Sequence, residues 1–512
     1  MARTQNGGRH IQLVKPLARA YLLGYLSSTS PRIVSVLAAL ARQKISPAVA
    51  LHRLFQVLRQ AAALNRFPAF CGILIGGSTL LQLPLKHIFI ALNQFLGRKK
   101  WSIDGTSIER LAKVLAALIS ASISFTLLNS RPVSRIELQG TTSTQGIPIS
   151  GPNNDPCSFK EPPETTARSD APRPAMLPAS ALAGRTMDLT LFAVIRALDV
   201  LISGMWARTT SRKTRSTATI SRSTPPILFC LSAATIMHAW FYTPSRLPST
   251  YNRWISTAAE LDNRLLLVLR HARYGTFTYG KDTGMAPLLA SMCKDYGLPE
   301  QWGDPAKTIP VPCELVHMGC GKNCEKHALI RFWRGWAFAA RMYAPLQLLM
   351  LLRGARTKAR GRSSPSKLAI TSDALTKATI DMTRSSAFLG AFIALFYYGV
   401  CLARTRLGPK LFSPTTISPQ MWDSGLCVLA GCALCGSSIL FERERKRLEI
   451  LFFVLPRAAA VWFPRRYLKE HRWREHVAFA LSTAVVFTVA QERPERVRGM
   501  LGSVLHGVLS QG

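Results

Sequence analysis

Apolar runs recur along the chain, separated by short and mostly basic stretches. The most uniform is Arg66–Leu85, RFPAFCGILIGGSTLLQLPL, which carries no charge from Pro68 to Leu85. A run of this length predicts a membrane-crossing helix, because in lipid every backbone N–H and C=O must be satisfied within its own segment. Further candidate spans lie at 114–130, 225–245, 385–403 and 424–441. Leu189–Trp206 is equally apolar but is interrupted by Arg196 and Asp199. Residues 1–16 read as a flexible basic start, and Leu17–Ser27 and Ile33–Ala41 as separate apolar pieces too short to span. Ser46–Arg66 sets Val49, Leu51, Leu54, Phe55, Val57, Leu58 and Ala62 at helical spacing. It predicts an amphipathic helix, either at the headgroup boundary or on an ordinary soluble surface.

The apolar pattern is written twice. At an offset of 318 residues Arg66 falls on Arg384, Ala69 on Ala387, Phe70 on Phe388, Gly72 on Gly390 and Ile75 on Ile393. Ala18-Arg19-Ala20-Tyr21 is echoed by Ala340-Arg341-Met342-Tyr343, and 114–130 is answered by the similarly Ala/Ser/Gly-rich 424–441. LFAVIRA (191–197) is answered by LFFVLPRA (451–458), and FCLSAA (229–234) by FALSTA (479–484). Matches in a constant order predict an internal duplication. The expected fold is all-α: a polytopic membrane protein of two tandem four-span units, each preceded by an interfacial segment. The expected division is 1–130 and 185–245 for the first repeat, with a disordered loop at 131–180 between its parts, since that stretch holds nine prolines. A soluble helical and Cys/His-rich linker at 246–331 follows, in which 252–274 reads as one amphipathic helix, and then the second repeat at 332–512.

Helices in lipid associate where small residues let backbones approach. Gly72/Gly76 and Gly390/Ala394 have that spacing, against a bland alternative in which such residues are common in any membrane helix. Gly72, matched by glycine, is expected to need a small residue more than Gly76, matched by alanine. Arg196, Asp199 and Arg457 place charge within apolar segments. They are either functional or explained by arginine reaching to headgroups, and Asp199 could neutralise Arg196 one turn away.

Composition fits this picture: apolar residues make up 48%, charged ones 18%, and mean hydropathy is +0.13. The formal charge of +38 requires an anionic partner, and anionic lipid headgroups fit better than nucleic acid, which the apolar spans argue against. Eleven cysteines are scattered, several of them inside apolar runs, as reduced buried residues would be.

The densest chemistry is CELVHMGCGKNCEKH (313–327). Cys313, His317, Cys324 and His327 give C-x3-H-x6-C-x2-H, with Cys320 as a spare thiol. Three readings stay open: a tetrahedral zinc site, a turn with a capping histidine and inert thiols, or a Cys313–Cys324 disulfide. The chain has no Walker loop, dinucleotide fingerprint, G-x-S-x-G or HExxH, so a non-enzymatic protein is expected and no cofactor beyond that zinc.

This cluster, running into RFWRGWAFAARMYAPLQLL (331–349), resembles the cysteine-rich module of the transmembrane protein 135 family in its fungal form. ELDNRLL (260–266), YGKDTG (279–284) and RSSAFLGAFIALFYYG (384–399) are similar to that family as well. The resemblance implies a relationship to the four-helix pore subunits of mitochondrial inner-membrane translocases. It also implies a peroxisomal or mitochondrial membrane and a part in organelle dynamics, membrane organisation or lipid and solute transport. A homo-oligomer or a membrane-protein complex is expected. The alternatives are a basic protein that binds nucleic acid or another anionic surface, and a metal-dependent enzyme using residues 313–327.

Overall fold

The computed structural model describes residues 2–97, 104–130, 182–209, 215–360 and 372–509; the expected disordered loop at 131–180 lies outside them. The described residues are helical apart from turns and one two-stranded ribbon. In chain order the main helices are α1 (Ala2–Ala41), α2 (Pro47–Ala61), α3 (Phe67–Leu80), α4 (Gln82–Gly97), α5 (Gly105–Asn129), α6 (Met187–Thr209) and α7 (Arg215–Tyr242). Then come α8 (Ser249–Ala259), α9 (Asn263–Arg273), α10 (Ala286–Asp295), α11 (Cys324–Arg360) and α12 (Ser372–Cys401). The chain ends with α13 (Cys427–Cys435), α14 (Glu444–Val461), α15 (Arg472–Glu492) and α16 (Gly499–Leu509).

Among the described residues six helices are long and apolar enough to cross a membrane: Phe67–Phe95, Gly105–Asn129, Met187–Arg208, Ala218–Tyr242, Ser372–Leu411 and Pro419–Phe441. The first half therefore supplies the expected four. In the second half α14 and α15 are helical but fall outside the six, because Glu444 to Arg447 and Arg472 to Glu475 charge their first turns.

Three local expectations differ from the structure. Residues 2–41 form one helix, not a flexible start and two pieces. Pro31 removes a backbone donor, yet the helix continues through it, with the hydroxyls of Thr29 and Ser30 bonding back to the carbonyls of Tyr25 and Leu26. Residues 252–274 are two helices. Glu260 takes a left-handed conformation (φ 49°), and the Asp262 side chain accepts from the Arg264 backbone N–H to start α9 afresh. The apolar run at 66–85 is carried by α3 and α4, which follow each other across Leu81.

The chain folds as two compact units, and neither is a contiguous half. The first holds α1 to α6 together with α15 and α16; the second holds α7 to α14. Within the first unit α1 packs on α3, α3 on α5, α5 on α15 and α15 on α6. Within the second, α11 packs on α12, α12 on α13, α13 on α7 and α7 on α14. The FALSTA helix thus completes the unit that contains the early spans, and the FCLSAA helix completes the other. Local ties hold these placements. Leu182–Ala183, just before α6, pairs antiparallel with Tyr467–Leu468, just before α15. Arg465 bridges Asp188 at 2.6 Å, and buried Glu475 accepts from Thr186, Thr190 and Tyr467. In the second unit Arg222 bridges Glu444 at 2.6 Å, and Arg246 donates to the carbonyl of Val461 at 2.9 Å.

The cores follow the same plan. Phe479 of α15 lies 6.0 Å from Phe70 and 5.4 Å from Phe125, over buried Ala121 and Ala480. In the second unit Phe229 and Phe241 of α7 pack on Phe388 and Phe396 of α12.

Small residues set the close contacts. A Cβ on Gly76 would sit 2.5 Å from Leu17 Cβ, whereas one on Gly72 would meet Tyr21 at 3.4 Å. A Cβ on Gly390 would lie 2.7 Å from the carbonyl oxygen of Phe332, and Ala394 is buried beside it. The first pair is therefore ordered opposite to the expectation, because α1 leans on α3 nearest Gly76. Gly76→Ala and Gly390→Ala should each cost about 1–3 kcal/mol through overpacking, while Gly72→Ala is near neutral. Thermal unfolding of the three variants in detergent checks this; a Gly72→Ala midpoint as low as that of Gly390→Ala would contradict it.

Candidate functional site

The Cys/His segment is shaped by backbone before side chains enter. Cys313–Val316 forms one helical turn ending at His317. Met318 (φ 53°), Gly319 (φ 77°) and Gly321 (φ 87°) then reverse the chain through left-handed conformations, which glycine adopts without a Cβ penalty. Asn323 caps the next helix by accepting from the Lys326 backbone N–H, and Cys324 opens α11. This doubling-back brings Cys313, His317 and Cys324 together, with their ligand atoms all within 4.8 Å of one another.

His317 is fully buried. Its Nδ1 lies 2.7 Å from the carbonyl oxygen of Gly321, which has no proton to give, so Nδ1 carries the hydrogen and Nε2 keeps a lone pair. Burial holds the His317 imidazole below its usual pKa and pushes the Cys313 thiol up. His327 does not join the group. Its ring stacks on that of His317 at 4.5 Å between centroids and meets Tyr397 edge-on, and neither of its nitrogens has a hydrogen-bond partner. Burial, with His317 and the Arg331 and Arg334 cations nearby, lowers its pKa to about 3, so the ring stays neutral. Arg331, also buried, lies over the Tyr397 ring at 4.7 Å and donates to the carbonyl of Glu260. Cys313 and Cys324 are free thiols, not a disulfide.

A residue from far along the chain reaches the same place. Cys401, at the end of α12, puts its Sγ 3.3 Å from His317 Nε2.

Next to it lies a buried ion pair. Arg404 and Asp423 sit on two π-helical turns, Leu402–Arg406 and Trp422–Leu426, that lead out of α12 and into α13. Arg404 donates Nε and Nη2 to the two carboxylate oxygens of Asp423 at 2.5 and 2.9 Å. The Tyr279 hydroxyl donates to Asp423 and accepts from the Val311 backbone N–H. Burial and the Asp423 carboxylate push the Tyr279 phenol well above its usual value, so it remains a donor. Gln420 accepts from the Tyr279 backbone N–H and donates to the carbonyl of Phe277. These bonds join the 276–284 turn to the hairpin between α12 and α13.

The intramembrane charges separate. Arg196 is buried and donates to the backbone carbonyl of Arg498, and Asp199 pairs with the Arg498 side chain rather than serving Arg196 alone. Arg457 is half-buried, donates to the carbonyl of Phe453 and lies over the rings of Phe453 and Tyr251. Its sequence correspondence with Arg196 therefore does not extend to surroundings. Sequence alone assigns no site role to Cys401, Arg404, Asp423 or Tyr279, although Tyr279 opens the YGKDTG stretch. Each looks ordinary alone, and the remaining hint is that Arg404 and Asp423 lie at the facing ends of the candidate spans 385–403 and 424–441.

No protein-family model, curated protein or solved structure matches the chain.

Removing one partner of a buried ion pair leaves the other charge uncompensated. Asp423→Ala should therefore cost roughly 3–5 kcal/mol. Tyr279→Phe removes one bond to a charged acceptor and should cost about 1.5–3 kcal/mol. Thermal unfolding in detergent is the measurement, and a Tyr279→Phe loss as large as that of Asp423→Ala would refute the ranking.

Proposed function

We propose that this protein is a multi-pass protein of an organelle membrane, peroxisomal or mitochondrial. It acts without chemistry of its own in membrane organisation, organelle dynamics or the movement of lipid or solute. The observation that carries the reading is the outward face of the six long apolar helices. Ile123, Ile202, Leu231 and Leu429 lie exposed on four different spans, as lipid-facing side chains do. Two further features support it. Each unit repeats one order of helix packing, which fits a duplicated four-helix ancestor whose last helices have exchanged places. The stretches that carry the resemblance to the transmembrane protein 135 family also hold the structural ties: Asp262 caps α9, Tyr279 binds Asp423, and Cys324 opens α11.

The excess of 65 Lys and Arg over 27 Asp and Glu then serves contact with anionic headgroups. The experiment is fractionation of cells expressing the full chain, with extraction of the membrane pellet by alkaline carbonate and by high salt. The protein is expected to stay in the pellet under both treatments and to co-sediment with a peroxisomal or mitochondrial marker. Release by salt alone would instead support a basic protein held to an anionic surface, because phosphate contacts weaken steeply with salt.

A further inference from the structure

We propose that Cys313, His317, Cys324 and Cys401 form a closed Cys3His zinc site that staples the 313–327 turn to the end of membrane helix α12. The fourth ligand is Cys401, not His327. The donor set is assembled already: three ligand atoms lie within 4.8 Å, and Cys401 Sγ is 3.3 Å from His317 Nε2. In a tetrahedral zinc centre with Zn–S near 2.3 Å, neighbouring ligand atoms stand about 3.8 Å apart, so only small side-chain adjustments are needed. The Cys313 and Cys324 sulfurs thus lie close to the His317 ring, and the Cys401 sulfur approaches the same ring at Nε2.

The surroundings agree with a metal. His317 Nδ1–H donates to the Gly321 carbonyl, the outer contact that metal-bound histidines make, and this turns the Nε2 lone pair toward Cys401. Stacking of His327 on His317 holds the imidazole plane and leaves His327 as a wall of the site. His317, Cys324 and Cys401 are 0%, 3% and 3% exposed, so four protein ligands close the centre and leave no open position for a substrate. Binding releases the thiol protons of the three cysteines, and three thiolates with Zn2+ carry a net charge of −1. Two cations face that charge. Arg404 is within electrostatic reach of Cys313 and Cys401 and keeps a buried Nη1 without a hydrogen-bond partner, and Arg406 reaches Cys324. Soft thiolates with one imidazole in a tetrahedral arrangement select zinc over hard divalent ions.

The test uses the full-length protein in detergent, dialysed against metal-free buffer and analysed for bound metals by plasma mass spectrometry. Wild type is expected to retain about one zinc per chain, and Cys401→Ser to lose it roughly tenfold or more, while His327→Ala keeps it. A wild type without zinc, or zinc lost in His327→Ala and kept in Cys401→Ser, overturns the assignment. If Cys401→Ser does not fold, cobalt exchanged into wild type decides. Charge-transfer absorption scales with the number of thiolates, so an intensity for three supports Cys401 and an intensity for two overturns it.

Discussion

Helices whose outer faces are apolar gain nothing by hiding leucine from lipid, so their association depends on how closely backbones approach. That constraint is visible at five contacts. Gly76 lies under Leu17 of α1, Gly77 meets Ser120 of α5, and Gly390 meets the Phe332 carbonyl of α11. Gly399 lies on Gly431 between α12 and α13, and Gly436 lies on Cys230 of α7. Where a glycine faces a neighbouring backbone, any side chain would hold the helices apart and forfeit dispersion contacts along their whole length. The aromatic clusters around Phe125 and Phe396 then fill the spaces that these approaches leave.

Polar ties complete what packing begins, and they gather where helices end. Glu475 collects three hydroxyls beside the short ribbon of the first unit, and Asp423 collects Arg404 and Tyr279 at the hairpin of the second. A buried carboxylate that is fully bonded at such a junction specifies one arrangement, since sliding either element by a residue would strand the charge. The two π-helical turns give Arg404 and Asp423 the offset needed to face each other. Wide turns of this kind often mark positions where a side chain must be re-aimed.

Much of this architecture is legible in the residues themselves. Runs such as 114–130 and 424–441 announce helices because lipid permits little else, and the helix read from Ser46 onward starts where that side chain caps it, whereas the fresh start at Asp262 is hidden in a stretch that reads as one helix. Cys313, His317 and Cys324 are close in sequence and prove close in space. What escapes a linear reading depends on distant partners. Cys401 sits in an apolar run where a thiol resembles any small residue, and His327 has the right spacing but turns its ring face to His317. The ordering of Gly72 and Gly76 follows from the path of α1, which the pattern in 66–85 does not contain. The composition of the two units is likewise invisible to a repeat, because correspondence of segments says nothing about which copy each one packs with.

That composition bears on how the molecule is made. The first unit is completed by α15, whose Phe479 covers Phe70 and Phe125, and α15 leaves the ribosome only after α1 to α14. Until then α1, α3 and α5 can pack on one another, but the faces of α5 and α6 that α15 covers have no partner. Biogenesis must therefore shelter an unfinished amino-terminal bundle through translation of the 262 residues between Thr209 and Arg472, at a synthesis rate of roughly 5–20 residues per second. A premature stop near residue 465 would leave α7 to α14 intact and strike at the opposite end of the polypeptide.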